Sequence, residues 1–93
     1  MGLTTGKSEI VEDLKTFLED EVLREKTREL DSETPLLELG ILNSLSTARV
    51  LAFIREHYGL FIPAEKIIGS NFRSLGHIAE LVIRVNADPH AHV

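Results

Sequence analysis

The 93-residue sequence contains no cysteine and no tryptophan, and aromatic residues make up only 5% of it. The lack of cysteine excludes disulfide bridges, thiolate zinc sites and a cysteine nucleophile. No apolar run approaches the roughly 18 residues of a membrane-spanning helix, so we expect no membrane span. The first residues are polar and include no secretory apolar segment, from which we expect a cytoplasmic protein.

Basic residues are few and nowhere clustered, which argues against a nucleic-acid partner. Residues 1–43 hold five Lys/Arg and eleven Asp/Glu, a net charge of −6, whereas residues 44–93 hold five and four, a net charge of +1. Binding to a phosphate backbone requires a basic face, so a helix-turn-helix DNA-binding domain is a disfavoured alternative. With 43% hydrophobic residues, the chain is expected to form one folded, monomeric domain.

Residues suited to catalysis or to metal binding are also scarce. A serine nucleophile needs a nearby base, but His57 follows Ser44 by about 20 Å along a predicted helix. His77 is expected to be exposed, and His90 with His92 lies in a polar tail. We therefore expect no catalytic residues, no metal site and no enzymatic activity of the chain on its own.

The spacing of apolar residues predicts four helices. They lie at about 8–24, 44–58 and 63–68, followed by a last helix from a Ser74 cap to about residue 86. The expected fold is all-α, a small four-helix bundle with three main helices, one short helix and a long loop between helices 1 and 2.

We expect residues 8–86 to form this domain, with flexible ends at 1–7 and 87–93. Within helix 1, Glu21 falls in the projected apolar stripe, which predicts a departure from regular helix near its end. The loop at residues 29–43 is too apolar for a free linker, and we expect five side chains to anchor it to the core: Leu36, Leu37, Leu39, Ile41 and Leu42. A loop this long in a small domain is commonly functional.

The second helix has two distinct faces. A helical projection places a core stripe at Thr47, Val50, Leu51, Ile54 and Tyr58. The opposite side presents small apolar residues beside a charge, which suits a docking surface: Leu45, Ala48, Arg49 and Ala52. The alternative is that Leu45 is one ordinary exposed leucine. Phe53 projects between the two faces and is assigned to neither.

Ser44 stands where a glycine-containing loop meets this second helix. A helix N-terminus offers unpaired backbone N–H groups and the positive end of the macrodipole, and it therefore suits a phosphate. The alternative is that Ser44 is simply the N-cap of the helix.

Four motifs, in matching order and spacing between about Thr34 and Val82, resemble the acyl and peptidyl carrier proteins. They are Leu37 with Leu39-Gly40, then Asn43-Ser44-Leu45, then Tyr58-Gly59-Leu60-Phe61-Ile62-Pro63, and finally Phe72-Arg73-Ser74-Leu75 leading to Ile78-Ala79 and Leu81-Val82. In that family the serine carries 4′-phosphopantetheine, so the resemblance implies Ser44 as the attachment residue. Because the chain has no cysteine, the thiol that holds a thioester would come from this arm.

The resemblance also implies the partners. A phosphopantetheinyl transferase would move the arm from coenzyme A with the help of magnesium. An AMP-forming ligase or adenylation enzyme would load an acyl or aminoacyl group, and tailoring, condensing or transfer enzymes would use it. In carrier proteins the second helix is the main recognition element, which supports docking at Leu45, Ala48, Arg49 and Ala52.

Two features depart from the common pattern. The residue that flanks the serine is usually Asp but is Asn43 here, and two residues, Ile41 and Leu42, follow Gly40 where many carriers have one. The longer spacing is similar to that of stand-alone carriers, the D-alanyl carrier among them. Residues 44–58 carry two Arg and one Glu, unlike the acidic second helix of fatty-acid carriers. We therefore expect a carrier of specialised-metabolite biosynthesis, of the nonribosomal-peptide or polyketide type. The alternatives are a fatty-acid or D-alanyl carrier, or an unmodified helical docking module.

Overall fold

The computed structural model describes residues 6–23, 30–88 and 90. Its regular elements are all helical: α1 (Lys7–Phe17), a π-helical segment (Leu18–Leu23), α2 (Ser44–Tyr58), two short 3₁₀ turns (Ala64–Lys66 and Gly69–Asn71) and α3 (Leu75–Asn86). The expected all-α fold with three main helices is confirmed. In this part of the chain no helix is both long and apolar enough to span a membrane.

Helix α1 starts one residue earlier than predicted. Its N-cap is Gly6, in extended conformation and without a side-chain cap. Ile10, Leu14 and Leu18 are fully buried at four-residue intervals. The π-helical turns then begin at Leu18. This wider winding leaves Glu21 exposed, which confirms the predicted departure from regular helix; the predicted end at residue 24 lies outside the described residues.

The core forms mainly where α3 packs against α1. α3 is apolar around most of its circumference, and its buried residues are Leu75, Gly76, Ile78, Ala79, Leu81, Val82 and Val85. Each large aliphatic side chain removed from water contributes about 1.5–3 kcal/mol before entropy is subtracted. This packing provides the rigid support on which the loop and α2 are arranged.

A row of contacts joins α1 and the π-helical segment to α2, and we call this row the seam. It runs forward along the first two elements and backward along α2. Its steps are Asp13 with Tyr58, Phe17 with Phe53, and Glu21 with Arg49. The Tyr58 hydroxyl donates to Asp13 Oδ2 at 2.8 Å. Burial and this hydrogen bond raise the pKa of Tyr58 above its usual value. The seam explains Phe53, which is half-buried with its ring 4.7 Å from that of Phe17.

The loop before α2 is fastened to the core by some of the residues expected to do so. Leu36, Ile41 and Leu42 are buried, whereas Leu37 and Leu39 are 40% and 58% exposed, so their predicted anchoring is wrong. The physical reason is geometric, because the amides of Ile41 and Leu42 both donate to the Leu36 carbonyl, at 2.9 and 3.2 Å. This turn holds Leu36, Ile41 and Leu42 against the core and leaves the intervening residues 37–40 exposed.

The segment between α2 and α3 is built from two turns. α2 ends at Gly59, which has a left-handed φ of 68° and donates its amide to the Arg55 carbonyl. Pro63 precedes the first 3₁₀ turn. The short helix predicted at 63–68 is present as the 3₁₀ turn Ala64–Lys66, and Gly69 opens a second turn that was not predicted. Ile67, Ile68 and Gly69, where the two turns meet, form one wall of the groove described below.

Candidate functional site

The start of α2 is held by a reciprocal pair of hydrogen bonds between Asn43 and Ser46. The Asn43 side-chain oxygen accepts from the Ser46 amide at 3.0 Å, and the Ser46 hydroxyl oxygen accepts from the Asn43 amide at 2.8 Å. The same hydroxyl lies 3.0 Å from the Ile41 carbonyl oxygen, to which it can donate. Sequence reasoning missed Ser46, although an Asn-x-x-Ser spacing at a helix start is a recognisable signal for such a capping box.

Ser44 is the first residue of α2 and not its N-cap, because Asn43 takes that role. The alternative reading of Ser44 as a cap is therefore wrong. Its side chain is exposed, and among the described residues its hydroxyl has no hydrogen-bond partner. The amides of Ser44 and Leu45 likewise have no acceptor in the described part of the chain. An outward hydroxyl thus stands next to two free N–H groups at the positive end of the helix dipole.

An open, mainly apolar groove of about 410 Å³ begins at Ser44. It lies between α2 and residues 67–69, with Leu51 and Phe72 also among the residues that line it. A second groove of about 530 Å³ shares Leu51 and Ile67 with it and leads to Phe61, which is 57% exposed. The two grooves together follow the length of α2 away from Ser44.

The four residues predicted for docking are all exposed, Leu45 by 68%, but they do not share one face. Ala48 lines the first groove and Ala52 the second, whereas Leu45 and Arg49 lie together on the other side of α2. Arg49 is nevertheless engaged, since its guanidinium donates to the Glu21 carbonyl at 2.9 Å in the seam.

The predicted core stripe of α2 is shifted by a fraction of a turn. Val50 and Ile54 are fully buried, whereas Thr47, Leu51 and Tyr58 are half-buried. Packing against α1 at the seam shifts the buried face of α2 toward Ser46 and Phe53. A projection of α2 alone does not include this packing.

The histidines lie apart from this site. His57 is near the far end of α2, 3.5 Å from the Asp13 carboxylate. His77 is exposed at the start of α3, where its Nδ1 lies 2.6 Å from the Ser74 hydroxyl. Within residues 6–23, 30–88 and 90, no group of three or more His, Asp or Glu side chains is arranged to hold a metal ion.

Comparisons with known proteins agree with one another. The family described as "Phosphopantetheine attachment site" matches residues 20–82, more than half of the chain. The chain is 35% identical over 60 residues to "Probable acyl carrier protein PigG" of Serratia sp. (strain ATCC 39006), covering 64% of this chain and 69% of that protein. It also matches a chain in a solved structure titled "Crystal structure of FAD-dependent dehydrogenase", with a TM-score of 0.70, 39% identity, and coverage of 74% of this chain and 97% of that one.

These matches identify a carrier that is acted on by partner enzymes, such as transferases and ligases, and is not itself an enzyme. They also indicate 4′-phosphopantetheine as its covalently attached cofactor. The resemblance seen in the sequence is thereby confirmed, and the chain belongs to the family of phosphopantetheine-binding carrier proteins.

Proposed function

We propose that Ser44 is the residue that carries the 4′-phosphopantetheine arm, and that the protein is a stand-alone carrier of an acyl or aminoacyl thioester. The observation that carries this proposal is the Ser44 hydroxyl at the first position of α2, which is exposed and bonds to none of the residues that the structure describes. A transferase needs a hydroxyl that it can reach and that need not first be withdrawn from a hydrogen bond.

The local geometry also suits the product of the transfer. The arm's phosphodiester bears one negative charge, which the positive end of the α2 dipole and the free amides of Ser44 and Leu45 favour. Asn43 caps the helix through its side-chain oxygen without adding a second negative charge beside the phosphate. The capping by Asn43 and Ser46 would fix the first turn, so that the arm is attached to a rigid element.

The proposed attachment transfers a phosphopantetheine group from coenzyme A to Ser44. The Ser44 oxygen attacks the phosphorus of coenzyme A that bears pantetheine, and a phosphodiester bond forms. The pyrophosphate bond breaks and adenosine 3′,5′-bisphosphate leaves, while the serine proton passes to a base of the transferase. The attached arm supplies the thiol that the cysteine-free chain lacks. Because it tethers the cargo to the carrier, it raises the effective concentration of the cargo at each partner.

Loading is proposed to occur in trans. An AMP-forming ligase would join the carboxylic acid to ATP as an acyl adenylate, with release of pyrophosphate. The arm's thiol would then attack the acyl carbonyl and displace AMP, and its proton would pass to a base of the ligase. The described residues offer the chain no metal cluster of its own, and His57 lies too far along α2 from Ser44 to act as its base.

The pathway is proposed to be specialised-metabolite biosynthesis, in the cytoplasm. The exposed Arg49 and Arg55 on α2 support partners other than those with basic docking sites, because like charges across an interface are costly. The match to a chain in a structure titled for an FAD-dependent dehydrogenase also supports a flavin enzyme among the tailoring partners. Such an enzyme would take two electrons and two protons from the carrier-bound acyl group, and its flavin would be reduced.

The test is reconstitution with purified components. Incubation with coenzyme A, Mg²⁺ and a broad-specificity phosphopantetheinyl transferase should raise the intact mass by one phosphopantetheine group. The holo-protein with ATP and candidate acids should then stay unloaded until an adenylating ligase is added. An unchanged mass after the first step would instead favour an unmodified docking module, and self-loading in the second step would refute loading in trans.

A further inference from the structure

The two grooves along α2 differ in charge. None of the described residues that line the groove at Ser44 is charged. Arg55 and Glu56 line the second groove and are both exposed, and neither side chain has a hydrogen-bond or ion-pair partner in the described part of the chain. The rest of that groove is apolar, with Phe61 57% and Ile67 38% exposed. A cation and an anion thus stand beside apolar surface with their hydrogen-bonding groups free.

The second groove lies at a distance from Ser44 that the arm can span. About 14 bonds separate the serine oxygen from the arm's sulfur, and an extended chain advances roughly 3.3–3.6 Å for every three bonds, so the arm reaches about 16 Å. The Cα atoms of Arg55 and Glu56 lie about 17 and about 18 Å from that of Ser44 along the helix axis. Helical side chains lean toward the N-terminus, which brings both charged groups closer to Ser44. An arm that follows the grooves therefore brings its thioester to Arg55 and Glu56.

The chemistry of these two charged groups restricts the cargo. The Arg55 guanidinium only donates hydrogen bonds, and the carbonyl oxygen of any thioester can accept one from it. The Glu56 carboxylate only accepts, and a thioester offers it no donor. A cargo with a carboxylate of its own would be repelled by Glu56, and an uncharged acyl group would leave Glu56 without a partner beside apolar surface. An ammonium group next to the carbonyl satisfies both side chains.

We propose that the second groove holds the cargo, and that the cargo is an aminoacyl group with an aliphatic side chain. Its α-ammonium donates to Glu56, its thioester carbonyl accepts from Arg55, and its side chain packs against Phe61 and Ile67. Because the cargo is tethered at Ser44, its effective concentration at the groove is high and individually weak contacts suffice. This inference rests on the proposed function and chooses between the acyl and the aminoacyl thioesters that the proposed function leaves open.

The experiment compares two cargoes that differ by one amino group. A phosphopantetheinyl transferase attaches the arm with either a valyl or a 3-methylbutanoyl group, joined through a stable amide in place of the thioester, and the arm without cargo is the reference. The proteins are the wild type, Glu56→Gln and Glu65→Gln. Glu65 is the matched control, because it is exposed next to Ala64 of the second groove but does not line the groove itself. Intact mass first confirms one modified arm on each protein.

Backbone ¹H–¹⁵N spectra are the first measurement, at about pH 6.5, where the α-amine is charged. The proposal expects the valyl group to shift the amide resonances of Glu56, Phe61 and Ile67, and the 3-methylbutanoyl group to shift them clearly less. Glu56→Gln should reduce the valyl shifts to the 3-methylbutanoyl level, because the charged acceptor is lost. Glu65→Gln should leave them unchanged. High salt should weaken the valyl shifts on the wild type, since it screens exposed charge pairs.

Hydrolysis of the authentic thioesters is the second measurement. The valyl thioester should hydrolyse more slowly on the wild type than on Glu56→Gln, by roughly threefold or more, because a cargo held in the groove is less exposed to water. The 3-methylbutanoyl thioester should hydrolyse at the same rate on both proteins, because it has no ammonium for Glu56 to bind.

Any of four results would overturn the proposal: equal shifts from the two cargoes, shifts confined to residues near Ser44, equal effects of Glu56→Gln and Glu65→Gln, or equal hydrolysis of the valyl thioester on wild type and Glu56→Gln. The comparison of the two cargoes on the wild type is decisive even if Glu56→Gln fails to fold. Absence of modification in the wild-type protein would instead show that the proposed function itself is wrong.

Discussion

Two helices of this protein begin with the same dipeptide, and the two dipeptides have opposite environments. α2 begins with Ser44-Leu45, in which the serine is exposed and the leucine is 68% exposed. At the start of α3, Ser74 is 2% exposed and Leu75 is fully buried. The difference arises from the residue that caps each helix. Asn43 caps α2 and leaves Ser44 free, whereas Ser74 is itself the cap of α3 and accepts from the His77 amide.

This comparison shows that a serine at a helix start does not become a modification site by position alone. The side-chain oxygen of a capping serine accepts a hydrogen bond from a backbone amide of the first helical turn, which stabilises the fold by about 1 kcal/mol. A serine one residue further on is spared that role when another side chain caps the helix. The proposal that Ser44 carries the arm therefore depends on Asn43 as much as on the serine.

The largest expected difference between the two serines is in modification itself. Ser44→Ala should abolish the gain of one phosphopantetheine mass on incubation with coenzyme A and a transferase, because the attacking oxygen is gone. Ser74→Ala should be modified to completion, since it keeps the Ser44 oxygen and loses only a buried hydroxyl. Intact-mass spectrometry of both variants measures the effect, and modification that persists in Ser44→Ala would refute the assignment.

The two leucines should differ in their contribution to stability. Leu75→Ala should lower the free energy of unfolding by about 2–5 kcal/mol, through lost burial and the cavity that remains. Leu45→Ala should change it by less than about 0.5 kcal/mol, as is usual for exposed positions. Urea unfolding followed by circular dichroism measures both values. Comparable losses for the two variants would mean that the exposed face of α2 has been assigned wrongly.

The two helix starts also differ at the residue that follows the leucine, which is Gly76 in α3. Gly76 donates its amide to the Ser32 carbonyl at 2.8 Å, and a Cβ atom there would lie 2.9 Å from that carbonyl oxygen. Gly76→Ala should therefore cost roughly 1–3 kcal/mol, because the loop must move to accommodate the methyl group. Thermal unfolding tests this, and an unchanged or raised melting temperature would show that the contact between the loop and α3 yields without strain.

The smallest expected difference is the capping energy. Ser74→Ala removes the α3 cap and should destabilise the protein by about 1 kcal/mol. Ser44→Ala removes a hydroxyl that bonds to none of the described residues, and alanine is a good helix former, so stability should stay within about 0.5 kcal/mol of the wild type. Chemical denaturation of the two apo variants measures the change in the free energy of unfolding that each substitution causes. A larger loss for Ser44→Ala would indicate that this hydroxyl has a structural role.

Much of this fold could be predicted from the sequence, because apolar residues recur at helical spacing and the helices have clear start and stop residues. Ile10 and Leu14 in α1, Ile78 and Val82 in α3, and the glycine stop at Gly59 are all local signals, and each led to the right element. The start of α2 at residue 44 followed from the same kind of signal.

The features that were missed depend on contacts between elements. Leu37 and Leu39 are as apolar as Leu36, but the direction of each side chain is decided by a turn closed on the Leu36 carbonyl. The engagement of Arg49 was also hidden, because its partner is the backbone of Glu21, 28 residues away. The spacing of side chains in a sequence does not reveal hydrogen bonds to backbone carbonyls. The docking face was therefore predicted without the seam that borders it.

The most direct test of the central claim is to locate the arm on the wild-type chain. Trypsin is expected to release residues 29–49, which contain Ser32, Ser44 and Ser46, separately from residues 74–84, which contain Ser74. Fragmentation of these peptides after treatment with coenzyme A and a transferase should place one phosphopantetheine on Ser44 and leave the other three serines unmodified. An arm on Ser32, Ser46 or Ser74, or no arm on either peptide, would contradict the account.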